Sequence, residues 1–244
     1  MKKLLYCITI ILLIVLIAIS SYFIYKQLHE EYKQDSIFEE LSNSITENKT
    51  AEEIEVNLQE LYKQNNDLIG WIKIDNTSID YPVMQTKSSP NYYLRRNFYK
   101  QYSCYGTPFM AEECNTNTSE NLIIYGHHMQ NTKMFGSLEN YKSKDYYDNH
   151  KLIKFYTSRG KEIYEIFAVF KTVLYKNNTF KYYQNIELDT ESEYSNFINK
   201  CKSLSLYNTG INPEYKTNLI TLSTCEYSVQ NSRLVVVAKL INEE

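Results

Sequence analysis

Glycine (6) and proline (4) are scarce in these 244 residues, and there is one tryptophan. No low-complexity tract and no internal repeat appears, which excludes a disordered linker array and a solenoid. No dense lysine or arginine block follows the first residues, and the formal charge is −3, so the chain carries no electrostatic footprint for nucleic acid. There is no CxxC pair and no Cys/His spacing suited to zinc. No GxSxG is present, so serine-triad chemistry has no support.

What is abundant is tyrosine (24) and isoleucine, which favours strands, with an apolar share of 43% that suffices for a core. The N-terminus reads "MKKLLYCITIILLIVLIAISSYFIYK", with Lys2 and Lys3 ahead of an uncharged apolar run from Leu4 to Tyr25. About 20 such residues cross a bilayer core. The flanking lysines orient the N-terminus to the cytoplasm and the remainder outside. A cleaved signal peptide ending near Ala18 and Ser20 is the alternative; the length of the run favours an uncleaved anchor.

Residues 26–66 form a polar connector with Ile54, Leu58 and Leu61 at helical spacing. From residue 67 to 244 the texture is that of a β-domain. "LIGWIKIDNTSIDYPVMQ" reads as a hairpin around Asp75-Asn76. "GTPFM", "NLIIYG", "KLIKFYT", "KEIYEIFAVFKTVLY", "NLITLSTC" and "RLVVVAKLI" follow as strand candidates. About eight short strands separated by turns predict a mostly β barrel or sandwich. "ESEYSNFINKCKSLSLY" is an inserted helix, capped by Thr190 or Ser192, with Phe197, Ile198, Cys201 and Leu204 on one face. Residues 134–147 read as a short helix and turn.

Outside the apolar N-terminal run, which holds Cys7, the chain has Cys104, Cys114, Cys201 and Cys225. An extracellular location permits a Cys104–Cys114 disulfide, but a domain of this size needs none, so free thiols are the expectation. In "LITLSTC", alternation puts Cys225 on the more polar face with Thr221 and Ser223. A loop over residues 226–232 between antiparallel strands would return Arg233 to Cys225. A guanidinium there favours a thiolate and holds a developing oxyanion. The plain alternatives are a buried apolar cysteine and a surface arginine at a strand start. His127 and His128 sit at the mouth of the strand "NLIIYG", where an imidazole can serve a thiol as acid and base. His29 and His150 read as surface residues. Papain-like enzymes run Cys before His, the reverse of this chain, and the caspase signature is missing.

"TLSTC" with an arginine eight residues on, and "YGHHM" about 100 residues upstream, resembles the sortases, and the class B sortases most closely. The resemblance runs from about residue 65 to 242 through "GWIKIDNTSIDYPVMQ", "YYL", "GTPFM", "IIYGHHMQNTKMF" and "TLSTCEYS…RLVVVAKL". It implies a closed β-barrel of about eight strands, with N-terminal helices and a helix inserted before the last two strands. It implies a cysteine transpeptidase outside a Gram-positive-type membrane. Such an enzyme cleaves a C-terminal sorting signal of a secreted protein, Asn-Pro-X-Thr-like or related, after its Thr. It then joins the new carboxyl end to an amine of the peptidoglycan cross-bridge or its precursor.

By motif, Cys225 is then the nucleophile that forms the thioacyl intermediate. His127 is the acid and base, and Arg233 stabilises the oxyanion and positions substrate. The resemblance also implies that only part of the enzyme holds the active thiolate–imidazolium pair. Tyr93, Leu94, Tyr125, Tyr183, Ser223 and Glu226 match groove positions. Asn91 is shifted from the family's asparagine, Tyr227 stands where relatives carry an acid, and "FMAEE" departs from the expected "FMD". No metal or organic cofactor is required. A hydrolysing endopeptidase with the same three residues, a noncatalytic wall-binding domain and a pilin-polymerising sortase are the competing readings. The last usually carries a lid and a second, C-terminal span.

Overall fold

The computed structural model of the chain describes residues 2–45, 50–129, 131–174, 179–226 and 230–243, with backbone only at 51, 225, 226, 242 and 243. The chain divides into two compact units, Met1–Leu41 and Ser42–Glu244. The first lies within helix α1 (Lys2–Ile45), whose apolar side chains over residues 4–25 are exposed. This helix is long and apolar enough to cross a membrane.

The second unit contains helix α2 (Ala51–Gln64). Thr50 Oγ1 accepts from the Glu53 backbone N–H at 3.3 Å, and Glu53 Oε2 accepts from the Thr50 N–H at 2.8 Å. Two otherwise orphaned donors are thereby satisfied at the start of the helix. Ile54, Leu58 and Leu61, at the spacing seen in the sequence, are its buried face. The helix ends at Asn65, whose backbone N–H bonds the Leu61 carbonyl.

The strands follow as β1 (Leu68–Lys73), β2 (Asp80–Met84), β3 (Phe109–Met110), β4 (Asn121–Tyr125), β5 (Leu152–Thr157), β6 (Gly160–Val173), β7 (Leu219–Glu226) and β8 (Ser232–Glu243). They close into a barrel in the order β1-β2-β3-β4-β7-β8-β6-β5. The β1–β2 hairpin turns at Asp75-Asn76 as expected, with Asn76 in the left-handed region at φ 58°. Two irregularities in the β6–β8 ladder, at Ile163/Tyr164 and Ile166/Ala168, bend the longest strand pair. Such bends let a sheet curl shut without exposed edges. Trp71, Phe155, Phe167, Phe170, Val235 and Val236 are fully buried in the core.

Helix α3 (Lys144–Asn149) follows a 3-10 segment at Gly136–Lys142, and helix α4 (Glu191–Leu204) lies between β6 and β7. α4 buries Tyr194, Phe197, Ile198 and Cys201, while Leu204 at its last turn is half-buried. Of the two cap candidates, Thr190 is the cap: its Oγ1 accepts from the Glu193 N–H at 3.2 Å while Glu193 Oε2 accepts from the Thr190 N–H at 3.1 Å. Thr190→Ala is expected to cost about 1 kcal/mol, seen as a fall of about 2–4 °C in thermal midpoint.

Cys104 and Cys114 are free thiols, so the disulfide that the sequence permitted is not formed. Cys114 is fully buried, its sulfur accepting from the Ile123 N–H at 3.4 Å, and burial pushes its thiol up to about 11. Held protonated, it is a poor nucleophile.

Candidate active site

β4 and β7 are parallel neighbours, with Tyr125 opposite Ser223. Both therefore end at the same rim of the barrel. The pairing ends two residues short of both 127 and 225, and just past it the Gly126 N–H still bonds the Ser223 carbonyl. β8 runs antiparallel to β7 and brings Arg233 directly opposite Cys225. The three residues marked by motif are thus carried to one rim by three adjacent strands. The Cys225 and Glu226 side chains lie outside the described part of the structure, as do residues 227–229, including Tyr227.

A cavity of about 410 Å³ opens at this rim. Leu94, Tyr125, His127, Tyr183, Ser223 and Arg233 all line it. So do Asn91, Phe109, Glu112, Glu113, Leu174 and Tyr182, which the motif reading did not select as site residues. The signal for Asn91 was its nearness to the expected asparagine. A left-handed backbone at φ 59°, just before the 3-10 turn Tyr92–Arg95, brings it to the cavity despite its shifted place in sequence. The two glutamates are the departure seen in "FMAEE".

Tyr93 is not brought to the cavity. It is 1% exposed, and its hydroxyl is held by Asn65 Nδ2 at 2.8 Å and donates to Asp67 Oδ2 at 2.8 Å. A 3-10 turn rotates about 120° per residue, so neighbours such as Tyr93 and Leu94 cannot share a face. The placement corrects the expectation that both line the groove.

His127 is positioned at both its backbone and its ring. The Gly126 N–H donates to the Ser223 carbonyl at 3.1 Å, and the Phe135 N–H donates to the His127 carbonyl at 2.9 Å. A Cβ on Gly126 would come within 2.5 Å of the Phe135 ring, so only glycine lets the strand end pass this close. His127 Nε2 lies 2.7 Å from the Leu94 carbonyl oxygen. A carbonyl only accepts, so Nε2 carries the proton and Nδ1 keeps the lone pair when the ring is neutral. Burial lowers the imidazole below its ordinary value and outweighs the opposing Leu94 bond; the nearby Arg95 charge adds to the lowering.

Ser223 is fixed from the opposite wall. Its Oγ lies 2.6 Å from the hydroxyl of Tyr182, a residue 1% exposed in the 3-10 turn Tyr182–Gln184. Burial raises the Tyr125 phenol well above its ordinary value, so Tyr125 is a neutral wall. Arg233 Nη1 donates to the Ser232 carbonyl at 3.0 Å, and among the described residues no carboxylate pairs with it. A guanidinium at this rim can meet an anion that develops during a reaction. His128 turns aside, its Nδ1 lying 3.8 Å from Glu139 Oε1.

The Sortase domain matches residues 72–241. Sortase B of Staphylococcus aureus is 34% identical over 236 residues, covering 95% of this chain and 94% of that protein. A Staphylococcus aureus sortase B–substrate complex superposes with a TM-score of 0.75 at 30% identity, covering 89% of this chain and 99% of that one. A sortase B complexed with triglycine gives a TM-score of 0.76 at 30% identity, over 88% of this chain and 99% of that one. A barrel matched from β1 into β8, with that degree of identity along almost the whole length, places the chain in the sortase family as a class B sortase, a cysteine transpeptidase.

Proposed function

We propose that this sortase cleaves a C-terminal sorting signal after its Thr and transfers the acyl group to a peptidoglycan amine. The observation that carries this reading is the meeting of residues 127, 225 and 233 at one rim, beside a cavity of about 410 Å³. The Cys225 thiolate attacks the Thr carbonyl carbon, and the oxyanion that forms is held by the Arg233 guanidinium. His127 gives its proton to the departing amine, leaving a thioester on Cys225. The incoming amine then loses a proton to His127 and displaces the thiolate, which restores the enzyme. Leu94, Tyr125, Tyr183, Ser223 and Glu226 are the residues assigned to hold the signal.

The solved relatives described as a substrate complex and a triglycine complex support a peptide donor and an amine acceptor. The first about 25 residues anchor the protein in the membrane. Residues 26–66 connect the anchor to the catalytic domain of residues 67–244, on the outer face of the membrane in a Gram-positive-type cell envelope. The two lysines before the span set that orientation.

Full-length protein in detergent, given an Asn-Pro-X-Thr peptide library with and without triglycine, tests this by mass spectrometry. The expected product is peptide joined through Thr to glycine, formed faster than hydrolysis product. Cleavage after Thr at an unchanged rate, with water as sole acceptor, would instead make the chain an endopeptidase.

A further inference from the structure

We infer that Tyr93, Asn65 and Gly106 are positioning residues for catalysis: together they hold the Leu94 carbonyl where it selects the Nε2–H form of His127. The inference rests on the proposed role of His127 and extends it to residues outside the cavity.

The Leu94 carbonyl is the hydrogen-bond partner of the His127 ring, at 2.7 Å from Nε2. It belongs to the short 3-10 turn Tyr92–Arg95, which by itself has few bonds to hold it. The anchoring comes from below. Asn65, 3% exposed at the end of α2, donates through Nδ2 both to the Tyr93 hydroxyl at 2.8 Å and to the Phe98 carbonyl at 2.6 Å. One amide thus ties Tyr93, within the turn, to Phe98 just beyond it. The orientation of that amide is itself set, because Oδ1 accepts from the Asp67 N–H at 3.1 Å. The Tyr93 hydroxyl donates to Asp67 Oδ2 at 2.8 Å, and Lys100 pairs with the same oxygen at 2.9 Å. The buried Asn65 amide and Tyr93 hydroxyl are thus each bonded on both sides, the condition under which a buried polar pair is rigid rather than costly.

Gly106 closes the turn from the other side. It sits at φ 61°, and a Cβ there would come within 2.6 Å of the Tyr93 carbonyl oxygen and 2.7 Å of the Leu94 carbonyl oxygen. The obstructed atoms are backbone, so they cannot swing away as a side chain would. The Tyr93 carbonyl is also taken by the Thr107 N–H at 3.0 Å. The carbonyl that faces His127 is therefore bounded by a hydroxyl network beneath and by a missing methyl beside it. Neither feature touches the cavity. Both bear on which ring nitrogen keeps the lone pair for proton transfer, since a ring that can rotate or exchange tautomers presents the wrong atom part of the time.

The test compares wild type, Tyr93→Phe and Gly106→Ala, using 15N spectra of the His127 ring together with kcat and KM for peptide transfer. Wild type is expected to show the Nε2–H tautomer. Both variants are expected to show a mixed tautomer signal and a downward shift in the titration of His127, because its bond to Leu94 favours the protonated ring. They are expected to lose about 10- to 100-fold in kcat with KM changed less than about twofold. Tyr93→Phe keeps the buried ring, so it answers the question if Gly106→Ala does not fold. Unchanged ring spectra in a folded Tyr93→Phe variant would overturn the inference, as would a loss confined to thermal stability. A wild type that shows the expected tautomer and no transfer would sink the functional proposal and leave the positioning of His127 intact.

Discussion

Cys225→Ala is expected to lose about 10⁴-fold or more in transfer rate, with no thioester adduct detectable by intact mass after mixing with peptide. Among the described residues no other thiol is placed to form the acyl-enzyme: Cys201 and Cys114 are buried with thiols held protonated, Cys104 is half-buried and does not line the cavity, and Cys7 lies in the proposed membrane span. Residues that act as a unit lose nearly the whole rate enhancement when the nucleophile is removed. The substitution removes only a sulfur at the end of β7, so the barrel should keep its stability. Peptide binding should also persist, because the cavity walls Leu94, Tyr125 and Tyr183 remain. Retention of full cellular function by Cys225→Ala would instead point to a wall-binding domain in which the thiol is incidental.

His127→Ala is expected to cost about 10²- to 10⁴-fold in kcat, the usual worth of a positioned acid and base. A second readout follows from burial. The folded protein lowers the imidazole below its ordinary value, so the unfolded chain takes up the proton first as pH falls. The unfolded state then binds more protons, and stability must rise with pH across that window. This contribution is fully present above the ordinary value of about 6.5 and is lost as pH falls from there through the lowered value of the folded protein. Thermal midpoints of wild type and His127→Ala across pH 5–8 should therefore differ in slope, the variant being flatter. Equal slopes would mean that the ring is solvated like a surface histidine. The same lowering limits how much enzyme carries an imidazolium beside a thiolate at neutral pH. It also makes the Leu94 bond, which acts in the opposite direction, a determinant of the active fraction.

Local pattern identified the elements because the forces that define them act over a few residues. The short apolar run in "NLIIYG", the alternation in "NLITLSTC", the turn at Asp75-Asn76 and the apolar face of "ESEYSNFINKCKSLSLY" all reappear as strands, hairpin and helix. Cys225, His127 and Arg233 were legible as chemistry because a thiol, an imidazole and a guanidinium at strand ends have few joint uses. The length and lack of charge of the N-terminal run were likewise enough to identify a helix able to span a membrane.

Their assembly was not local. His127 and Cys225 are separated by about 100 residues, and only the parallel pairing of β4 with β7 brings their strand ends to one rim. Composition cannot specify that register, since it depends on which faces the whole barrel must bury. Tyr93 shows the same limit at short range: adjacent to Leu94 in sequence, it faces the other way because a 3-10 turn separates neighbours by a third of a circle. By itself the sequence determined the kind of chemistry, the apolar helix that precedes it and the strands that bear it. Only the tertiary structure decided which side chains share the cavity and which nitrogen of His127 is held by Leu94, because both depend on contacts between segments far apart in the chain.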